Sequence, residues 1–81
     1  MSGAAPGVAL SELAIGQGGK IMALELPPEA KQRLLEMGMT VGARIEIVRF
    51  APLGDPVDIK VRGYHLSIRK HEAAGIWVER T

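Results

Sequence analysis

The stretch RLLEMGMTVGARIEI (Arg33 to Ile47) changes its hydrophobic period halfway along. Its first half is spaced like a helix and its second half alternates like a strand, with Gly38 and Gly42 between them. A helix that ends at Gly38 can place that residue in the left-handed region other residues resist. Met39 would then fold back onto Leu34, the apolar contact that accompanies a Schellman ending. Gly42 supplies a second turn, and the strand ARIEIVRF returns over the helix. The segment therefore fastens a short helix to a sheet, which is a strong restriction in a chain of 81 residues.

The rest of the chain supplies that sheet. LSEL is predicted to form a turn with Leu10 and Leu13 inward, and the glycine-rich GQGGK (Gly16 to Lys20) leads into the strand KIMALEL. LPPEAKQRLLEMG reads as the helix: Pro28 suits its first turn, Glu29 complements its dipole, and Ala30, Leu34 and Met37 form the apolar stripe with Leu35 beside it. Val57, Ile59 and Val61 alternate with Asp58, Lys60 and Arg62, and Leu66 and Ile68 alternate with His65, Ser67 and Arg69. Gly63, within RGY, marks a tight hairpin between these two strands. KHEAAG reads as a turn or a short 3₁₀ helix, and IWVER as a last strand with Trp77 outward. About five short strands and one inserted α-helix predict a mainly β, closed or nearly closed small barrel spanning residues 10–81. Residues 1–9, rich in Gly, Ala and Pro, read as a flexible tail without the features of a signal peptide.

Composition narrows the chemistry. There is no cysteine, which excludes disulfides, thiolate zinc sites and a cysteine nucleophile. His65, His71 and Glu72 are the nearest approach to a metal set, but their spacing matches no known ligand motif, and both histidines read as surface residues. Ser11 and Ser67 lack a matched base and acid, and GQGGK is not a phosphate loop. No enzyme, cofactor or metal is expected. No apolar run approaches the roughly 20 residues of a membrane span. The net charge of +1 gives no electrostatic case for nucleic acid. Lys60, Arg62, Arg69 and Lys70, with Arg44 and Arg49, do make a basic patch, so nucleic-acid or regulator binding through a strand face is the alternative reading; the aromatic platform for stacking is thin. Met22, Leu24, Leu26, Met37, Met39 and Leu53 exceed what the strand interiors require. Of these, Leu26, Met37, Met39 and Leu53 are the candidates for an apolar protein-docking surface, with Gly38, Gly42 and Gly63 as structural turns. Such a patch also allows weak self-association.

Three motifs in order, LSEL through GGKI, then RLLEMGMTVGARIEIV, then APLGDPVDIKVRGYHLSIRKHEAAGIWV, resemble the FeoA family of small ferrous iron transport proteins from Leu10 to Val78. Met37 and Met39 stand where leucine is more usual, a volume-conserving exchange. The resemblance implies an SH3-like β-barrel with an inserted helix. It also implies a cytoplasmic protein that regulates Fe²⁺ uptake by contact with a FeoB-type membrane transporter; no direct membrane insertion and no nucleic-acid partner are expected.

Overall fold

A computed structural model describes residues 7–80. Strand β1 (Val8–Ala9) is followed by a 3₁₀ turn at Leu10–Glu12, β2 (Gly18–Leu24), helix α1 (Pro28–Glu36), β3 (Arg44–Phe50), β4 (Val57–Val61), β5 (Tyr64–Ile68), the single-turn helix α2 (Lys70–Ala73) and β6 (Ile76–Arg80). The sheet is antiparallel in the order β1-β6-β2-β3-β4-β5. The first and last strands of the described residues thus pair, Val8 lying opposite Val78.

Two irregularities curl this sheet. The β2–β6 register shifts between Ile21 and Ala23, and the β3–β4 register shifts between Ile47 and Arg49. An extra residue in one strand sharpens the local bend and twist. The shift also resets which face is inward: Ile21 and Leu24 are both buried although they stand three positions apart. The curled sheet encloses an aliphatic core in which Ile47, Val57, Ile59, Val61, Ile76 and Val78 are fully buried. Leu10 and Leu13 belong to the same core.

Several expectations are corrected. There are six strands among the described residues, not about five, because Val8–Ala9 pairs with β6. Two residues are too few for alternation to show in a sequence. The ordered fold therefore begins at least two residues before Leu10, while residues 1–6 of the expected tail lie outside the described residues. Helix α1 is shorter than LPPEAKQRLLEMG, since Pro27 remains extended at its N-cap. The KHEA segment is one α-turn, and Arg69 caps it instead of continuing β5 outward.

The opening stretch closes α1 as a Schellman ending. The Met39 N–H donates to the Leu34 carbonyl at 2.9 Å and the Gly38 N–H to that of Leu35 at 3.1 Å. Gly38 has φ +97° and Gly42 has φ +93°. At the β4–β5 hairpin Arg62 (φ +50°) and Gly63 (φ +86°) are both left-handed, as a two-residue type I′ turn requires.

Candidate docking surface

Four side chains were expected on an apolar surface, and the structure sorts them. Met39 is fully buried, and Leu34 beneath it is 1% exposed. The Schellman turn that brings Met39 back onto Leu34 is the reason Met39 cannot meet a partner, and its place among the docking residues is withdrawn. Leu26 is half-buried and packs on the core. Met37 is 37% exposed, so it does not complete the inner stripe of α1 as its spacing implied. Leu53 is 94% exposed.

Met37 stands at the exit of α1, where a second element joins in. From the β4–β5 turn, Arg62 Nε donates to the Gly38 carbonyl at 3.1 Å, and its Nη2 donates to Thr40 Oγ1 at 2.6 Å. A side chain on Gly38 would also press on Arg62 Cδ and the Tyr64 hydroxyl, each 3.2 Å from a Cβ built there. The helix exit is therefore clamped from the neighbouring hairpin. Around it Val41 is 65% exposed and Tyr64 43% exposed. Neither was among the residues expected on the docking surface. Val41 carried a signal: an apolar β-branched residue wedged between Thr40 and Gly42 in a turn has no route to the core. Tyr64 carried none, because its place beside Gly38 depends on the tertiary arrangement.

Leu53 belongs to a different corner. The Gly54 N–H donates to the Ala51 carbonyl at 2.7 Å, closing a β-turn with Pro52 at its second position and Leu53 at its third. The Ala51 N–H donates to the Pro56 carbonyl at 3.0 Å, and Asp55 Oδ1 accepts from the Lys70 N–H at 3.0 Å, tying the loop to the start of α2. At the loop's base Asp58 accepts hydrogen bonds from the Ser67 hydroxyl and from Arg49 Nε, the latter at 2.7 Å. The Ser67 hydroxyl first, and then the Arg49 guanidinium, hold the Asp58 carboxyl below the usual aspartate value of 3.8.

Between these corners, Arg33 of α1 pairs with Glu72, the buried carboxylate of α2, and Glu72 also accepts from the Arg69 N–H at 3.3 Å. A buried charge of this kind requires its partners. The pair joins the two helices. His65 and His71 are exposed on different elements, and among the described residues no group of three or more potential ligands could hold a metal ion.

The expected basic patch divides as well. Arg49 is spent on Asp58, and Arg69 and Lys70 sit at the start of α2. Arg44, Lys60 and Arg62 gather on the outer face of β2–β3–β4. Of the aromatic residues Tyr64 is exposed, while Phe50 and Trp77 are half-buried and Trp77 donates its indole N–H to Glu25 at 2.9 Å. A nucleic-acid platform needs several exposed rings, so this surface is poorly suited to stacking bases.

Comparison with known proteins agrees with the fold. Residues 8–80 match the family described as the FeoA domain. The Fe(2+) transport protein A/Fe(2+) transporter FeoB fusion protein of Porphyromonas gingivalis is 41% identical over 70 residues, covering 86% of this chain and 8% of that protein. The chain thus spans a small part of that relative's length. The solution structure of the FeoA protein from Chlorobium tepidum is 37% identical with a TM-score of 0.87, over 90% of this chain and 70% of that one. Stenotrophomonas maltophilia FeoA, solved with zinc and described as a prokaryotic SH3 domain protein, is 24% identical with a TM-score of 0.75, over 86% of this chain and 87% of that one. At that identity the likeness shows the SH3-like fold alone.

Proposed function

This chain belongs to the FeoA family of ferrous iron transport, and we propose that it is a cytoplasmic accessory protein that binds the cytosolic portion of a FeoB-type transporter and regulates Fe²⁺ uptake by contact. The observation that carries this reading is the Porphyromonas gingivalis fusion, in which a homologous segment and a FeoB transporter share one polypeptide. Covalent linkage keeps two domains at a high effective concentration, which serves partners whose contact is weak. Among the described residues no helix is long and apolar enough to cross a membrane.

The surface offered for docking has two parts, the clamped α1 exit with Met37, Val41 and Tyr64, and the β3–β4 loop with Leu53. Both hold apolar groups outward on backbone that is already fixed, so little conformational entropy is lost on binding. Leu26 remains a supporting contact beneath the start of α1. The role requires no reaction at this chain.

The test is an NMR titration of the ¹⁵N-labelled protein with the cytosolic portion of the FeoB-type transporter from the same organism. Amides of residues 37–42 and 51–56 are expected to shift together and to saturate below about 100 μM, a range suited to a transient contact. A flat titration at that concentration would remove direct docking. Shifts confined to the sheet face of Arg44 and Lys60 would instead favour a partner recognised by charge.

A further inference from the structure

The outer face of β2–β3–β4 carries a groove of about 500 Å³ that borders the α1 exit at Arg62. Its volume falls within the range of small-molecule sites, roughly 300–1,000 Å³. Arg44, Lys60 and Arg62 line it, with Glu46 as the carboxylate among them. Strand register explains the gathering: Glu46 lies opposite Lys60 on β4, and Arg44 lies opposite Lys20 on β2.

Like charges directly across a strand pair repel, so the placement of Arg44 against Lys20 opposes the fold. Glu79 stands on the far side of Lys20, on β6. Among the described residues the ion pairs are Arg33–Glu72 and Arg49–Asp58, which leaves Arg44, Lys60 and Glu46 without one. Arg62 keeps its full charge too, because both acceptors holding it, the Gly38 carbonyl and the Thr40 hydroxyl, are neutral. Those two bonds also fix the guanidinium in place before any ligand arrives.

The remaining lining is backbone. Gly16 and Gly63 have open space where a Cβ would stand, and Gly18 completes the glycine rim. Glycine at the rim of a cationic groove lets a compact anion approach the main chain closely. The groove has no aromatic lining, which disfavours a base or a nucleic-acid strand. Guanidinium groups match phosphate oxygens in paired hydrogen bonds, and lysine adds a mobile point charge.

We propose that this groove is a binding site for a small phosphoryl anion, held by Arg44, Lys60 and Arg62, with Glu46 limiting its affinity. The inference does not rest on the docking reading, although Arg62 both lines the groove and clamps the α1 exit.

The test titrates pyrophosphate into the ¹⁵N-labelled protein at low salt. Amides of Gly16, Gly18, Arg44 and Gly63 are expected to move along one saturable curve that weakens as salt rises. Arg44→Glu and Lys60→Glu are each expected to weaken binding at least tenfold. Lys31→Glu, an equal charge change on exposed α1, should leave it within twofold, and Glu46→Gln should tighten it. All these side chains are exposed, and thermal melts of each variant confirm folding. Shifts that never saturate, or equal loss in Lys31→Glu, would overturn the site. So would binding of phosphatidylglycerol vesicles or of single-stranded RNA through these residues when pyrophosphate does not bind.

Discussion

The turn that leaves α1 holds its shape through main-chain geometry, whereas the β3–β4 loop with Leu53 at its tip depends on polar groups at its base. At the exit, left-handed Gly38 and Gly42 set the path, Met39 is locked onto Leu34, and Arg62 binds neutral acceptors. At the loop, Asp55 reaches α2, and Asp58 gathers Ser67 and Arg49 four residues past the turn. Both present apolar side chains to solvent. The first is built to resist change, and the second responds to charge and pH.

The largest effects belong at the exit. Leu34 is buried at the point where α1 meets the core and Met39 covers it, so Leu34→Ala should cost about 2–5 kcal/mol. Against the roughly 4–12 kcal/mol available to a domain of this size, that is a major loss. Chemical denaturation measures it, and a cost below 1 kcal/mol would mean that the exit is not anchored on the core. Gly38→Val follows at about 1–3 kcal/mol, since a β-branched side chain resists φ +97° and would press on Arg62 and Tyr64. At about 4–8 °C per kcal/mol for a domain this small, the melting temperature reads it directly.

The same comparison shows what the sequence made legible. The exit was readable because a helical period, two glycines and an alternating strand are local signals that agree with one another. The hairpin at Gly63 and the buried row Val57, Ile59 and Val61 were legible for the same reason. Val8–Ala9 was not, because its pairing with Val78 and Trp77 joins opposite ends of the chain. Met37 and Met39 show the limit most directly. Both are apolar and two residues apart, yet the left-handed residue between them sends Met39 into the core and leaves Met37 at the surface. The clamp from Arg62 and the cationic groove both arise from register between strands, which no single segment encodes.

Two substitutions sharpen the contrast at smaller scale. Arg62→Asn keeps a residue that tolerates left-handed backbone but removes the clamp on Gly38 and Thr40. It should cost about 1 kcal/mol, because the lost bonds are solvent-exposed. No change in stability would show the clamp to be incidental. Leu53→Ser should leave stability within about 0.5 kcal/mol, as the side chain makes no core contact. Its effect is expected in binding instead, with at least tenfold weaker association with the cytosolic portion of the transporter by calorimetry. Unchanged affinity would restrict docking to the α1 exit.

The smallest effect separates the two regions by pH. Asp58 has a folded-state pKa below its ordinary 3.8, so the contribution of its ionised form is present above that value. It is lost as pH falls through the lower folded value, when the carboxyl gains a proton and its bonds to Ser67 and Arg49 weaken. The α1 exit has no equivalent, since the acceptors there are the Gly38 carbonyl and the Thr40 hydroxyl, neither of them a carboxylate. Below pH 3.8 hydrogen exchange should therefore quicken at Phe50 and Val57, which flank the loop, before it quickens at Gly38 and Met39. Asp58→Asn should remove that order while leaving the neutral-pH fold intact. Simultaneous loosening of both regions in the unsubstituted protein would show that one cooperative unit spans them and that the loop has no separate acid response.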